Sequence, residues 1–428
     1  ITFKELKDQI AKVVPKDIPY TVELEAGNIA IVTPVPAKFG GGDGLIGKIA
    51  KRVKRKIVLR PDESIMKSEE DAKKLIHEIV PEAAEITNLY FDSCYREIII
   101  QCQNPGEAVG RRGANLNAIR DQTGWLVKVE RTSPIISKTV HDIRGYRQAH
   151  APERRKLLKD FGLNIHRPQR PGSAWARVTA LGSYREVGRA CHFVTTNESR
   201  IMIDVGVNIA SDTDPMPYFT APEALPLEKL DAVVLTHSHL DHAGMLPVLF
   251  KYGYRGPVYC TPPTRDLMLL LQTDYLKVGG SEGKRAPYDM EDIRTCMKHV
   301  VDVDWGETTD IAPDVKLTFS NAGHILGSSA VHLHIGEGKH NIVFSGDQKY
   351  EKSWLFDAAN TRFPRVETLV IESTYGASGD YQPSRQEANQ ELQDIVSRTI
   401  SRGGKLICPV FAVGRSQEVM IAIDELFR

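Results

Sequence analysis

The sequence predicts a multidomain α/β protein in which two small helix-and-strand modules precede a larger body built mainly from strands. Two observations predict this class. The first 131 residues contain an internal repeat, and from Trp175 onward the chain consists of apolar or alternating runs typical of strands, with few helices. With 428 residues the chain is long enough for about three domains, each with its own core.

Composition excludes several classes of protein. Lysine plus arginine and aspartate plus glutamate both number 55, so a polyanionic partner would have to be bound by local patches. No apolar stretch approaches membrane-spanning length and the N-terminus lacks a signal-peptide pattern, so we expect no membrane partner. The six cysteines form no Cys-x-x-Cys pair, which predicts reduced, buried thiols in a cytoplasmic protein.

The repeat is visible where residues 10–15, Ile-Ala-Lys-Val-Val-Pro, recur at 76–81 as Ile-His-Glu-Ile-Val-Pro. Each copy continues with two strand-like runs, a Gly-x-x-Gly tetrad, a helical stretch and a last strand ending near Arg60 or Arg131. The predicted order in each unit is therefore helix, strand, strand, helix, tetrad, helix, strand. The strand-like runs are residues 20–24, 29–33, 86–91 and 97–101.

This order resembles a type II KH domain, whose Gly-x-x-Gly loop clamps the backbone of about four nucleotides. Glycine lets the chain approach phosphates, and the next helix offers free N–H groups. The second tetrad, Gly110-Arg111-Arg112-Gly113, adds positive charge, whereas the first contains Asp43, which would repel phosphate. We expect the second module to bind single-stranded RNA and the first to be weaker or structural. A duplicated packing module that binds nothing is the alternative.

A basic connector follows at residues 132–172. Between positions 144 and 170 it carries eight basic residues against Glu153 and Asp160. Two interpretations stay open: a solvated charged face, or a positive track for an RNA backbone. The basic residues are Arg144, Arg147, Arg154, Arg155, Lys156, Lys159, Arg167 and Arg170.

Residues 236–242, Thr-His-Ser-His-Leu-Asp-His, directly follow the largely apolar run 230–235. On a strand, His237 and His239 would share a face and could converge on one ion. Asp241 and His242 follow where the chain leaves the strand and could turn toward a second ion. Nitrogen and oxygen donors of this kind suit zinc, and a histidine-rich polar loop without metal is the alternative.

Further donors lie at the ends of other strand-like runs, as a metal site on a folded sheet requires. Asp204 and Asp347 each end such a run, and His324 lies among small residues after the run 315–319. The remaining histidines of the body lack donor neighbours at ligand spacing or lie on an alternating strand, and we expect them to be structural. They are His192, His299, His332, His334 and His340.

In order along the chain, Asp204, the His-x-His-x-Asp-His run, His324 and Asp347 match the first four motifs of the metallo-β-lactamase superfamily. The resemblance implies an αββα sandwich that binds two Zn²⁺ ions, with Asp204 orienting the ligands. The ligand sets that it implies are His237, His239 and His324 for one ion, Asp241 and His242 for the other, and Asp347 as a bridge.

Two later segments resemble the β-CASP cap that is inserted in the nucleases of this superfamily. Residues 368–376 place Glu372 at the end of a strand, as the first carboxylate of the cap, and residues 408–418 open a helix. Arg415 and Ser416 at that helix start could contact a phosphate, although a simple strand–turn–helix junction is the alternative. By this resemblance, the catalytic roles fall to Asp204, Asp241 and Glu372.

The combination resembles one group over essentially the whole chain: the archaeal homologues of the cleavage and polyadenylation specificity factor nuclease. It implies a zinc-dependent ribonuclease of 3′-end processing or transcription termination, an endonuclease rather than a 5′–3′ exonuclease. The implied domains are a KH-like module at 1–65, a KH module at 66–131, the basic connector at 132–172, a metallo-β-lactamase domain at 173–358 and the start of the β-CASP cap at 359–428.

The same resemblance implies the binding partners of the protein and the motifs that are expected after the last residue of this sequence. The partners are single-stranded RNA, RNA polymerase or ribosome-associated machinery, and a second copy of the chain when it is full length. The cap's later histidine motifs, including the last ligand of the second zinc, are expected beyond Arg428. Two alternatives stay open: a catalytically inactive RNA-binding subunit of a processing complex, and a small-molecule hydrolase with accessory domains.

Overall fold

The first module is a three-stranded sheet with two helices packed against it. The computed structural model describes residues 1–40, 44–170, 175–211, 213–281, 283 and 286–427. Leu6 and Ile10 lie one turn apart on the first helix and bury their side chains against Ile29 and Ile31 of the central strand. The first two strands are antiparallel and the last two parallel. The elements are α1 (Phe3–Ala11), β1 (Thr21–Glu25), β2 (Asn28–Thr33), α2 (Leu45–Val53) and β3 (Ile57–Pro61).

The second module repeats this topology, with an antiparallel pair followed by a parallel one. The predicted order of elements is confirmed here. In the first module the helix before the tetrad is a single 3₁₀ turn, Pro36–Lys38, and the tetrad itself lies outside the described residues except for Gly44. The elements are α3 (Glu69–Ile79), β4 (Ile86–Asp92), β5 (Glu97–Cys102), α4 (Pro105–Val109), α5 (Ala114–Thr123) and β6 (Leu126–Arg131).

The basic connector folds as two helices, α6 (Lys138–Ala149) and α7 (Ala151–Ile165). Helix α7 packs on the first module, where the Ala26 N–H donates to the Leu158 carbonyl at 2.8 Å. The two modules are joined by Arg60, which donates to Glu25 at 2.7 and 2.8 Å and to Glu97 at 2.8 Å. These contacts attach α7 to the first module and the first module to the second.

The body begins with a six-stranded sheet in the order β12-β11-β10-β9-β8-β7. Strands β9 to β12 are parallel, and β7, β8 and β9 are antiparallel. The strands are β7 (Ala176–Gly182), β8 (Cys191–Thr196), β9 (Arg200–Ile203), β10 (Ala232–Val234), β11 (Val258–Cys260) and β12 (Val300–Asp302).

Four helices cover one face of this sheet, so the expectation of few helices in the body is wrong. Helix α10 spreads its apolar residues around its circumference, and its sequence therefore lacks the stripe that reveals an amphipathic helix. The helices are α8 (Leu240–Ala243), α9 (Leu246–Lys251), α10 (Pro262–Ser281) and α11 (Met290–His299).

A five-stranded sheet, in the order β13-β14-β15-β16-β17, packs on the other face. Along β9, Ile201 and Ile203 enter the core between the two sheets, whereas Met202 packs against the helices. Because β9 is buried on both of its faces, residues 201–203 form a continuous apolar run instead of alternating with polar residues. The strands are β13 (Thr308–Ala312), β14 (Val315–Asn321), β15 (Ser329–Ile335), β16 (His340–Phe344) and β17 (Thr368–Val370).

Beyond the sandwich the chain continues through α12 (Arg385–Ser401) and α13 (Arg415–Leu426). All six cysteines are free thiols; five are buried, as predicted, and Cys408 is exposed. In the part of the chain that the structure describes, no helix is long and apolar enough to cross a membrane.

Candidate functional site

Thr236 to His239 of the histidine motif form the loop between β10 and α8, and Asp241 and His242 lie in the first turn of α8, so no part of the motif is on a strand. Strand β10 ends at Val234, and the Thr236 N–H donates to the Asp204 carboxylate at 2.7 Å instead of to a neighbouring strand. The expectation that His237 and His239 share a strand face is therefore wrong. The loop nevertheless brings the two imidazoles together, with His237 Nε2 and His239 Nδ1 3.2 Å apart.

A first donor group contains His237, His239, His324 and Asp347. His324 comes from the β14–β15 loop, and its Nε2 lies 3.1 Å from His239 Nδ1. Asp347 follows β16, and its Oδ2 lies 3.6 Å from His324 Nε2. All four donor atoms lie within 4.8 Å of one another, as a shared ion requires.

A second donor group contains Asp241, His242 and Asp347. His242 Nε2 lies 3.1 Å from Asp347 Oδ1 and 3.7 Å from Asp241 Oδ2. Asp347 thus presents one carboxylate oxygen to each group, which is the position predicted for a bridging ligand.

Asp204 and Thr236 orient one imidazole of each donor group: His242 in the second and His237 in the first. His242 Nδ1 lies 2.7 Å from Asp204 Oδ2, so its Nδ1–H donates to the carboxylate and its Nε2 faces the second group. The Thr236 hydroxyl donates to the same oxygen at 2.8 Å and lies 3.0 Å from His237 Nδ1, from which it can accept. Each imidazole is oriented through the nitrogen that is not in the donor group.

Electrostatics keeps most of these groups in the form that binds a metal. Burial holds the pKa of His237 well below its ordinary value, and the neighbouring imidazoles lower it further. Burial also lowers the pKa of His239, and lowers the pKa of His324 to about 4. Burial alone would raise the pKa of Asp347, but the neighbouring imidazoles, His242 foremost, lower it to about 2. Neutral imidazoles and an ionised carboxylate are the forms that ligate metals.

His242 is held differently. Burial opposes its charged form, but the carboxylates of Asp204 and Asp347 outweigh burial and raise its pKa well above the ordinary value. Without a cation beside them, these two carboxylates stabilise a proton on the imidazole. The donor set as a whole, with three imidazoles and a shared carboxylate in one group and an imidazole and two carboxylates in the other, fits metal binding.

The second Gly-x-x-Gly loop is exposed. Gly110 and Gly113 have φ angles of +73° and +78°, which favour glycine, and the loop joins α4 to α5. Arg111 and Arg112 between them project from the surface. The loop therefore offers two cations next to a helix start, in the position predicted for a nucleic-acid clamp.

The comparisons with known proteins agree with this arrangement. Residues 184–394 match the family model of the metallo-beta-lactamase superfamily, and residues 1–66 match that of the KH domain of transcription termination factor FttA. The transcription termination factor FttA of Methanosarcina mazei is 49% identical over 425 residues, which are 99% of this chain and 67% of that protein. The chain belongs to the FttA family.

Other members of the family are similar to the same degree. The FttA of Methanothermobacter thermautotrophicus is 46% identical over 428 residues, again covering 99% of this chain and 67% of the relative. That of Thermococcus kodakarensis is 46% identical over 433 residues. The chain spans about two thirds of the length of these FttA proteins. The predicted resemblance to archaeal CPSF-type factors with KH and metallo-β-lactamase domains is confirmed.

In this FttA-family chain, Glu372 lies two residues beyond β17. Its carboxylate accepts from the Gln348 N–H at 3.3 Å and from the Thr374 N–H at 3.1 Å. Since Gln348 follows Asp347, Glu372 holds the main chain next to the carboxylate that the two donor groups share. Its predicted catalytic role stays a prediction.

Arg415 and Ser416, the two candidate phosphate contacts, both interact with other protein groups at the start of α13. Arg415 pairs with Glu418 at 2.9 Å, and the Ser416 hydroxyl donates to the Ala412 carbonyl at 2.8 Å. The Arg415 side chain is still 59% exposed, so it remains the better placed of the two to meet a phosphate.

Sequence reasoning missed two groups at the site. Thr236 bonds to Asp204 and approaches His237, and the Val413 carbonyl lies 3.3 Å from His239 Nε2. Thr236 could have been noticed because it precedes the histidine motif directly. A main-chain carbonyl leaves no signal in a sequence.

Most basic residues of the connector form neither a solvated charged face nor a positive track for RNA, because they are buried or paired with acidic residues. Arg154 is buried, and its guanidinium nitrogens have no hydrogen-bond partner among the described residues. Four other arginines form ion pairs that attach the two helices, and the residues just after α7, to their surroundings. They are Arg144 with Glu130, Arg147 with Asp302, Arg155 with Glu63 and Arg167 with Asp231. Lys156, Lys159 and Arg170 are exposed, so for these three residues both predicted interpretations stay open.

The histidines expected to be structural contact ordinary protein groups. His334 lies 2.9 Å from both the Thr318 hydroxyl and the Asn341 side chain, and His299 Nδ1 lies 2.9 Å from the Gly256 carbonyl. His192 and His340 lie near Tyr184 and Thr368.

Proposed function

We propose that this chain belongs to a zinc-dependent ribonuclease that hydrolyses RNA phosphodiester bonds in RNA 3′-end processing or transcription termination. The observation that carries the proposal is the pair of donor groups sharing Asp347. A carboxylate that faces two adjacent donor groups is the arrangement of a two-metal hydrolase. The exposed arginines of the second KH module point to RNA as the substrate.

In this proposal His237, His239 and His324 would hold one zinc, Asp241 and His242 would hold the other, and Asp347 would contribute to both sites. When bound, such ions supply an activated water and neutralise charge on the phosphodiester. Asp204 holds His242 in the ligating tautomer through the 2.7 Å hydrogen bond. The Asp241 side chain is 34% exposed, so it can reach solvent and orient the attacking water.

The KH modules would deliver the RNA. Arg111 and Arg112 would contact backbone phosphates, and the Gly110–Gly113 turn lets the chain approach them closely. The modules are anchored on the body, where Arg55 pairs with Asp310 at 3.1 Å and with Glu337 at 3.0 Å. RNA bound to the modules would therefore keep a defined path relative to the metal centre.

The wider setting follows from the same proposal. The relatives are named transcription termination factors, so we infer RNA polymerase as a partner and the cytoplasm as the place of action. We also propose endonucleolytic cleavage, and a homodimer for the full-length protein.

The test is His239→Ala in the full-length protein, assayed on single-stranded RNA. We expect cleavage to be lost while RNA binding is retained, because His239 belongs to the first donor group and the clamp lies on the second KH module. His77→Ala, on the exposed face of α3, serves as the control. Unchanged cleavage in His239→Ala would refute the assignment.

Zinc content separates the ribonuclease from an inactive RNA-binding subunit. The two donor groups favour the enzyme, because every ligand predicted within this chain belongs to one of them. The last ligand of the second zinc is expected beyond Arg428. We expect two zinc ions per chain of the full-length wild type. Fewer than two, together with intact RNA binding, would favour the inactive subunit.

A further inference from the structure

We propose that the turn formed by Ala412, Val413 and Gly414 is a positioning element of the metal centre that fixes the imidazole of His239. This inference rests on the proposed function, because it takes His239 to be a metal ligand. By this inference the site also depends on three residues of this segment. Val413 contributes its main-chain carbonyl, and Gly414 and Gln417 set the conformation of the turn.

The contact itself is a hydrogen bond from an imidazole to a main-chain carbonyl. His239 Nε2 lies 3.3 Å from the Val413 carbonyl oxygen, and its Nδ1 faces His237 Nε2 and His324 Nε2. Because a carbonyl can only accept, Nε2 carries the proton and the Nδ1 lone pair is directed into the donor group. Ligating histidines generally donate their other N–H to such a partner, and this partner sets the ring orientation.

Three of the histidines have a hydrogen-bond partner for the nitrogen that faces away from the donor group, and these partners come from different parts of the chain. His237 and His242 are supported by Thr236 and Asp204, which belong to the same sheet edge. His239 is supported by a residue 174 positions further along the chain. Its orientation therefore depends on how the segment before α13 lies against the sandwich.

Close packing holds that segment in place. Gly414 is buried and has a φ of +90°, and a Cβ there would lie 2.7 Å from Ile325 Cγ2. Ile325 directly follows the ligand His324. A side chain at position 414 would therefore push the turn away from the loop that carries His324, and would move the adjacent Val413 carbonyl with it.

Gln417 braces the turn on both sides of Val413. Its Oε1 accepts from the Gly414 N–H at 2.7 Å, and its Nε2 donates to the Ala412 carbonyl at 3.0 Å. These bonds set the peptide planes on either side of Val413 and so the direction of its carbonyl. Helix α13 is also tied to the bridging ligand's loop, because Glu418 accepts from Lys349 at 3.3 Å.

Metal affinity of the full-length protein tests this inference. We would measure Co²⁺ and Zn²⁺ affinity by competition with a chelator, and record the visible absorption of the Co²⁺ form. We expect Gly414→Ala and Gln417→Met each to weaken binding about tenfold, the lower end of the effect of altered supporting partners. The Co²⁺ spectrum should also change, because the geometry at His239 changes. Methionine keeps the shape of glutamine but forms neither hydrogen bond to the turn.

Two matched controls accompany these variants. Gly379→Ala adds a methyl group where no atom lies within 4 Å, and Gln386→Met changes an exposed glutamine of α12. Both should bind metal like the wild type. The thermal midpoint of each metal-free variant shows whether it folds, and if Gly414→Ala does not fold, Gln417→Met decides.

The outcomes separate this inference from the proposed function. If the wild type binds metal and Gln417→Met binds it with the same affinity and spectrum, the positioning role is wrong while the metal centre stands. A wild type that binds no metal overturns both proposals. Weakened binding and a changed spectrum in folded Gln417→Met support the positioning role.

Discussion

The Asp204 carboxylate and the His242 imidazole lie 2.7 Å apart, Oδ2 to Nδ1, and both side chains are buried. Asp204 has a φ of +60°, an uncommon conformation that aspartate tolerates better than most residues. In that conformation one carboxylate binds the main-chain N–H and the hydroxyl of Thr236 as well as His242. The two donor groups thus depend on one buried anion.

Replacing Asp204 by asparagine should therefore weaken the second metal in particular. The amide carries no charge to hold the proton on Nδ1, and its NH₂ would be forced against the Thr236 donors or against His242 Nδ1. We expect metal affinity to fall about 10- to 100-fold, measured by chelator competition. Asp357→Asn, at an exposed carboxylate, is the control. Wild-type affinity for two metals in Asp204→Asn would contradict the supporting role.

Arg111→Ala with Arg112→Ala should weaken RNA binding without changing metal content. Each lost phosphate contact lowers the dependence of binding on salt by about 0.7 in the log–log slope for single strands, so two contacts lower it by about 1.4. Binding of a single-stranded RNA at several salt concentrations measures this slope.

The matched comparison for the clamp is Lys156→Ala with Lys159→Ala, which removes two exposed charges from the basic connector. If only this pair lowered the salt slope, the RNA backbone would follow the connector and the clamp assignment would be wrong. A drop in both double variants would show that the clamp and the connector share one path.

Gly162→Ala should loosen the contact between α7 and the first KH module. A Cβ at Gly162 would lie 2.5 Å from the Leu24 Cβ and 3.0 Å from the Ala26 carbonyl oxygen. We expect a loss of about 1–3 kcal/mol in the free energy of unfolding, as for other overpacked sites. Denaturant titration followed by circular dichroism measures it.

Gly145→Ala is the control for this substitution, since no atom lies within 4 Å of a Cβ at that position of α6. Alanine there should stabilise the helix by about 0.5–1 kcal/mol. Equal effects of the two substitutions would mean that Gly162 has no packing role.

Asp302→Asn should destabilise the protein in a way that depends on pH. Asp302 pairs with Arg147 at 2.9 Å and with Arg265 at 2.7 Å. Burial opposes its charge, but the arginines outweigh burial and lower its pKa to about 2. A folded pKa below the ordinary value of about 3.9 contributes stability that is complete above that value and is lost as pH falls through about 2.

The expected difference between wild type and Asp302→Asn is about 2 kcal/mol in the free energy of unfolding near neutral pH. It should be constant from about pH 8 to about pH 5 and shrink below about pH 4. Denaturant titrations across this range measure it. A difference that already changes between neutral pH and pH 5 would assign the effect to another group.

The sequence by itself allowed the main features to be predicted. Metal binding needs particular side chains, so the donor residues, from His237 to Asp347, could be chosen by type and by their place at the ends of strands. The structure brings all of them together. The order of elements in the KH modules was equally readable, because strand alternation and glycine tetrads are local signals.

Only the tertiary structure decided how these residues are held. Which nitrogen of each imidazole faces the donor group depends on partners such as Asp204 and Val413, which are distant in sequence. The basic connector looked like a charged surface because its acidic partners, Glu63, Asp231 and Asp302, lie far away along the chain. Side-chain chemistry can be read from residue identity, but a carbonyl is common to every residue, and long-range pairs exist only once the chain has folded.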